Sequence, residues 1–79
     1  MADYQGLLAL LIVNLVDRPA DVRIQRLDQQ GLEVYRVTVH PDDLGKLIGK
    51  GGQTARALRM LLTAAAARLD KRVGLEIVE

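Results

Sequence analysis

Between residues 4 and 16 the apolar side chains recur at helical spacing. Tyr4, Leu7, Leu8, Leu11, Ile12 and Leu15 fall on one face. Leu10 and Val13 lie off it, so the predicted helix is apolar nearly all round; cover of its far side by another chain is one reading, stray surface apolar side chains the other. Asp17-Arg18-Pro19 ends the run, because a proline cannot continue it. The pattern then changes period. From Asp21 to Leu27, Val22 and Ile24 alternate with Arg23 and Gln25; from Leu32 to Val39, Tyr35, Val37 and Val39 alternate with Val34, Arg36 and Thr38. The polar stretch Asp28 to Gly31 separates the two runs, and together they predict a β-hairpin.

His40-Pro41-Asp42-Asp43 reads as a helix start, with proline at the first helical position and two carboxylates at the positive end of the dipole. This helix can run only to about Ile48, where glycines stop it. A longer helix is predicted from Gln53 to Asp70, with Leu58, Leu61, Leu62, Ala65 and Leu69 as its buried stripe and Arg56, Arg59 and Thr63 on another face. Val73 to Val78 alternates again and predicts a last strand. The order α-β-β-α-α-β predicts an α+β fold: a three-stranded mixed sheet covered on one face by three helices. The last strand, returning after a two-helix crossover, is expected to pair parallel to the second. No linker composition or repeat divides the chain, so residues 1–79 are expected to form one unit.

Composition limits what such a unit can do. A domain of 79 residues is marginal by itself and has no cysteine to staple it. Phe and Trp are absent, so the core is aliphatic and any nucleic-acid surface works without rows of stacking rings. One histidine and no cysteine leave no metal-ligand cluster, and no nucleophile–base pair or carboxylate dyad is visible. We expect neither an enzyme nor a cofactor. The apolar stretch from Leu7 to Val16 is too short to span a bilayer and lacks preceding basic residues, so a cytoplasmic location without membrane contact is expected. The net charge of +1 conceals an asymmetry. Residues 1–43 carry four basic and seven acidic side chains; residues 44–72 carry seven basic ones against Asp70 alone. A basic segment of this kind fits an anionic partner, and on charge alone it fits equally well cations that solvate an exposed helix face.

That segment opens with "GKLIGKGGQTARAL", residues 45–58. It is not a Walker-type P-loop, because Lys50 is followed by Gly51 where the magnesium-binding Ser or Thr would stand. Nor is it a dinucleotide fingerprint: Thr54 occupies the third small position, and the chain is too short for the doubly wound sheet. What remains is I-G-x-x-G between two helices, Ile48-Gly49-Lys50-Gly51-Gly52. A phosphodiester approaches backbone N–H groups closely only where no Cβ intrudes, and the stretch leads into a helix N-terminus that favours an anion. Lys50 adds a mobile positive charge at the tip.

This loop resembles the G-x-x-G loop of KH domains, which grips a nucleic-acid backbone. The element order resembles the type II, prokaryotic arrangement, and the likeness covers essentially the whole chain. The leucine-rich first helix ending "NLVDRP", the core "TVHPDDLGKLIGKGGQTARALR" and the short length resemble the KhpA family of small bacterial KH proteins. The resemblance implies single-stranded RNA as ligand and pairing with a second copy or a KhpB-like KH protein. It also implies a role as RNA chaperone or post-transcriptional regulator linked to cell shape and division. Carried onto this sequence, Gly49, Lys50, Gly51 and Gly52 hold the sugar-phosphate backbone. Ile48 is a candidate floor for the bases, while Leu44, Leu47, Leu58 and Tyr35 are better read as core. Lys46, Arg56 and Arg59 are candidates for phosphates or base edges, with simple solvation of a helix face as the other reading. Arg68, Lys71 and Arg72 lie too far along the helix for the same few nucleotides. Two or three phosphate contacts predict a log–log salt slope of only about −1.5 to −2. A protein-interaction module with secondary RNA binding is the competing function.

Overall fold

The computed structural model describes residues 4–79; residues 1–3, Asp3 among them, lie outside it. Helix α1 (Tyr4–Val13) leads through a 3-10 turn (Pro19–Asp21) into β1 (Arg23–Gln29) and β2 (Leu32–Thr38). A second 3-10 turn (Pro41–Asp43) opens α2 (Leu44–Ile48); a third (Lys50–Gly52) opens α3 (Gln53–Ala67), and β3 (Arg72–Ile77) closes the sheet. Strand order is β1-β2-β3, with β1 antiparallel and β3 parallel to β2. The fold is the expected α+β arrangement, with a mixed sheet and helices on one face.

The core forms where the helix-facing strand residues Tyr35, Val37 and Leu75 meet Tyr4, Leu8 and Ile12 of α1, Leu47 of α2, and Leu58, Leu62 and Ala66 of α3. Tyr35 is a core residue, as expected; its hydroxyl donates to Glu33 Oε2 at 3.2 Å. Burial pushes its pKa up, and the bond to the neighbouring carboxylate pushes it the same way.

Several boundaries differ from the sequence reading, each for a local reason. Helix α1 stops at Val13, because the Asn14 side chain donates to Leu10 O at 2.7 Å and competes for a carbonyl the helix would use. Its buried residues are Tyr4, Leu8 and Ile12, a strict i, i+4 row, so Leu7 and Leu15 are exposed rather than core. The hairpin turn is tighter than Asp28–Gly31. Both strands extend until only Gln30 and Gly31 connect them, each with positive φ (53° and 86°), as a type I′ turn requires.

Helix α3 ends at Ala67, short of Asp70. Asp70 N donates to Ala67 O and Lys71 N to Ala66 O, with Asp70 at φ 56°, which together make a Schellman closure. The buried stripe of α3 is Ala55, Leu58, Leu62 and Ala66. Leu61 and Leu69, expected inside, face out. Small alanines replace them at the contact, so α3 can lie close to the sheet.

Candidate nucleic-acid interface

The candidate interface lies at the junction of α2 and α3. Ile48 is the last residue of α2 and is half-buried. Gly49 follows at φ 78°, ψ 170°, a conformation open essentially to glycine alone. A side chain there would also collide with Thr54: an added Cβ would lie 2.7 Å from Thr54 Cβ and 2.8 Å from its amide nitrogen. Thr54 is therefore a second determinant of the turn, one with no signature in the spacing of the glycines. Gly51 (φ 63°) and Gly52 (φ 78°) are left-handed as well, but a Cβ on either would meet open space. Backbone conformation alone asks for glycine at these two positions.

The turn uses some of its own donors. Gly49 N donates to Gly45 O at 2.8 Å, and Gly52 N to Gly49 O at 3.1 Å. The expected cradle of residues 49–52 thus narrows to the Lys50 and Gly51 amides, followed by the first turn of α3, where no side chain caps the helix. That end of α3 presents N–H groups and the positive end of the dipole together.

The cations around the turn divide into committed and uncommitted ones. Lys50 is exposed and makes no ion pair among the described residues; Arg56, one turn into α3, is likewise exposed and unpaired. Arg59 reaches from α3 to the open edge of the sheet and donates to Leu75 O at 3.4 Å. Lys46 turns away from the loop and pairs with Asp17, with Asp43 Oδ1 3.8 Å away. The hydrogen bond to Asp17 holds the Lys46 ammonium above the usual lysine range, partial desolvation opposing it. The structure thus brings Ile48, Gly49, Lys50, Gly51, Gly52 and Arg56 together at one turn, places Arg59 at its flank, and gives Lys46 a tie to the end of the first helix.

Asp43, read in the sequence as helix-start charge, has a different part. It is 1% exposed, and its carboxylate accepts from Asp17 N at 3.2 Å and Arg18 N at 3.0 Å. Desolvation would raise its pKa, but the two backbone N–H bonds, with Lys46 and Arg18 nearby, together hold it below the usual aspartate value. Asp42 stays exposed and pairs with Arg18 at 3.1 Å, while its amide donates to His40 Nδ1 at 3.0 Å. These bonds fasten the loop after α1 to the start of α2, and so fix the short helix that carries the glycine turn. The only hint in the sequence was a second carboxylate beside one that already served the helix start.

Among the described residues, no group of acidic, His or Cys side chains could hold a metal ion, and no helix is long and apolar enough to cross a membrane.

Comparison with known proteins places the chain in a family. The family model "KhpA/KhpB, KH domain" matches residues 5–77. The RNA-binding protein KhpA of Chlamydia pneumoniae is 47% identical over 72 residues, covering 91% of this chain and 92% of its own. That of Treponema pallidum is 44% identical over 75 residues, covering 95% and 94%. The protein of the same description from Aquifex aeolicus is 40% identical over all 79 residues of this chain and the whole of its own length.

Proposed function

The chain belongs to the KhpA/KhpB family of KH domains, and from that premise and the loop geometry we propose that it binds single-stranded RNA through the glycine turn. The carrying observation is the turn itself: Gly49 is locked by Thr54, and the Lys50 and Gly51 amides precede an uncapped helix N-terminus with the unpaired Lys50 ammonium beside them. The backbone of about four nucleotides lies on this turn, and the bases turn toward Ile48. Gly52 shapes the entry to α3, and Arg56 supplies a phosphate or base-edge contact. Arg59 does the same from its position at the sheet edge. Lys46 acts indirectly, through its pair with Asp17, which holds the start of α2 in place. On this reading residues 1–79 are one KH domain, non-enzymatic and cytoplasmic. It serves as an RNA chaperone or post-transcriptional regulator, with a KhpB-like partner and a role in cell shape and division.

The test is RNA binding by the double variant Lys50→Asp, Gly51→Asp. Aspartate tolerates the left-handed backbone at position 51, and its side chain enters open space, so the fold is retained. Two carboxylates at the cradle should weaken single-stranded RNA binding about tenfold or more. Undiminished binding by the folded variant contradicts the reading.

One observation favours a protein-interaction role beside RNA binding. On the outer face of α3, Met60 is 66% and Leu61 54% exposed, and with Ala57 and Ala64 they form an apolar patch. Leu10 on α1 is 61% exposed. The α3 patch is the proposed face for a second copy or a KhpB-like chain. Sedimentation should show a dimer that Leu61→Asp dissociates; a wild-type monomer at all concentrations, with RNA affinity intact, contradicts this part.

A further inference from the structure

The basic side chains fall into two groups. Arg18, Arg26, Arg36 and Lys46 are paired with carboxylates, Arg23 donates to the Ala20 and Val22 carbonyls, and Arg59 donates to Leu75 O. Among the described residues, Lys50, Arg56, Arg68, Lys71 and Arg72 are left with neither kind of partner. All five are exposed. The first two are at the glycine turn. The other three are at the opposite end of α3, Arg68 and Lys71 in the connection to β3 and Arg72 at the first position of that strand.

A cation held in an ion pair has much of its field cancelled locally; an exposed, unpaired one is available to a mobile anion. The connection holds three such cations because of its backbone. The Schellman closure at Ala66 and Ala67 turns the chain sharply through Asp70, so that Arg68, Lys71 and Arg72 fall within one tight bend. Asp70 makes no ion pair with any of them, and Asp28 and Gln29 stand beside Arg72 across the strand ends. Three cations against Asp70 and Glu33, which stands opposite Val73, with Asp28 already paired to Arg26, leave the bend with a net positive charge.

The 15 residues of α3 separate this bend from the glycine turn by about 22 Å. That is beyond the reach of the roughly four nucleotides the turn grips. β3 is an edge strand with no neighbour on its outer side, and Arg59 reaches from α3 to its Leu75 O midway between the two ends.

From this geometry, and resting on the proposed loop function, we propose that Arg68, Lys71 and Arg72 form a second phosphate anchor for the same RNA strand. The ligand class is then a single-stranded RNA, or an unpaired segment of a longer one, that runs on past the glycine turn to the far end of α3. A tetranucleotide seated on the glycine turn leaves the far anchor unoccupied.

The experiment compares single-stranded RNAs of about four and about twelve nucleotides on the full chain. The probes are wild type, the triple variant Arg68→Gln, Lys71→Gln, Arg72→Gln, and Asp70→Asn, which keeps the left-handed bend and removes its carboxylate. Circular dichroism and melting confirm that the variants fold. For the longer RNA, the triple variant should bind about tenfold more weakly, with a salt slope smaller by about two, since each lost phosphate contact removes about 0.7. Asp70→Asn should bind the longer RNA more tightly. Both should bind the short RNA as wild type does.

Equal wild-type affinity for the two lengths overturns the proposal. So does a triple variant that keeps the full length increment, which would leave the bend to solvation or to an acidic protein partner. The loop function fails separately: it is overturned if Lys50→Asp, Gly51→Asp leaves short-RNA binding intact, whatever the triple variant does.

Discussion

At the residue scale, the glycines of the turn are not equivalent. Gly49 has both a forbidden backbone angle and no room for a Cβ, whereas Gly51 has only the angle. Gly49→Ala should therefore cost at least about 2 kcal/mol, and Gly51→Ala about 1 kcal/mol, in chemical denaturation. Equal costs would show that Thr54 is not the wall it is taken to be. Asp43 gives a prediction of its own. Its folded pKa lies below its unfolded one, so its contribution is fully present above the ordinary aspartate value of about 3.9 and is lost as pH falls through the folded value. Asp43→Asn should lower the melting temperature near neutral pH and flatten the acid limb of the stability profile. An acid limb identical to wild type contradicts the assignment. The backbone of the turn was legible in the sequence, because glycine identity records left-handed conformation directly. The staple at Asp43 was not, because an aspartate at a helix start has the same letter whether it faces solvent or two buried amides.

At the element scale, periodicity located α1, α3 and the three strands, a helix-start signal located α2, and local hydrogen bonds then moved the ends. Asn14 taking Leu10 O, Gln30-Gly31 closing a two-residue hairpin, and the Schellman closure after Ala67 each involve backbone partners that a pattern of apolar letters does not encode. Alanine misled in the same way. Ala55 and Ala66 occupy buried positions of α3, while Leu61 and Leu69 face out, so counting large apolar side chains pointed to the wrong edge of the stripe. Two positions hold left-handed backbone with residues that adopt it less readily than asparagine or glycine does. Gln30 sits at φ 53° and Asp70 at φ 56°. Gln30→Asn and Asp70→Gly should each raise stability by about 0.5–1 kcal/mol, read from denaturant midpoints. A loss of stability at either position contradicts the turn assigned there.

At the scale of the whole molecule, the division of charge seen along the chain acquires a spatial meaning. The acidic first half is largely consumed internally: Asp17 and Asp43 engage Lys46 and the loop amides, Asp42 engages Arg18, and Asp28 engages Arg26. The unpaired cations are left at the two ends of α3, one group at the glycine turn and one at the bend before β3. The small core supports this by holding a rigid sheet behind α3, with Leu47, Ile12 and Val37 fully enclosed. The central claim is that the Lys50 and Gly51 amides receive an RNA backbone. It is tested most directly by following backbone amide chemical shifts while a short single-stranded RNA is titrated in. The account predicts that Lys50, Gly51 and the first turn of α3 shift most, while the Gln30-Gly31 hairpin stays still. If those amides do not move while others respond, or if nothing moves, the glycine turn is not where this protein holds RNA.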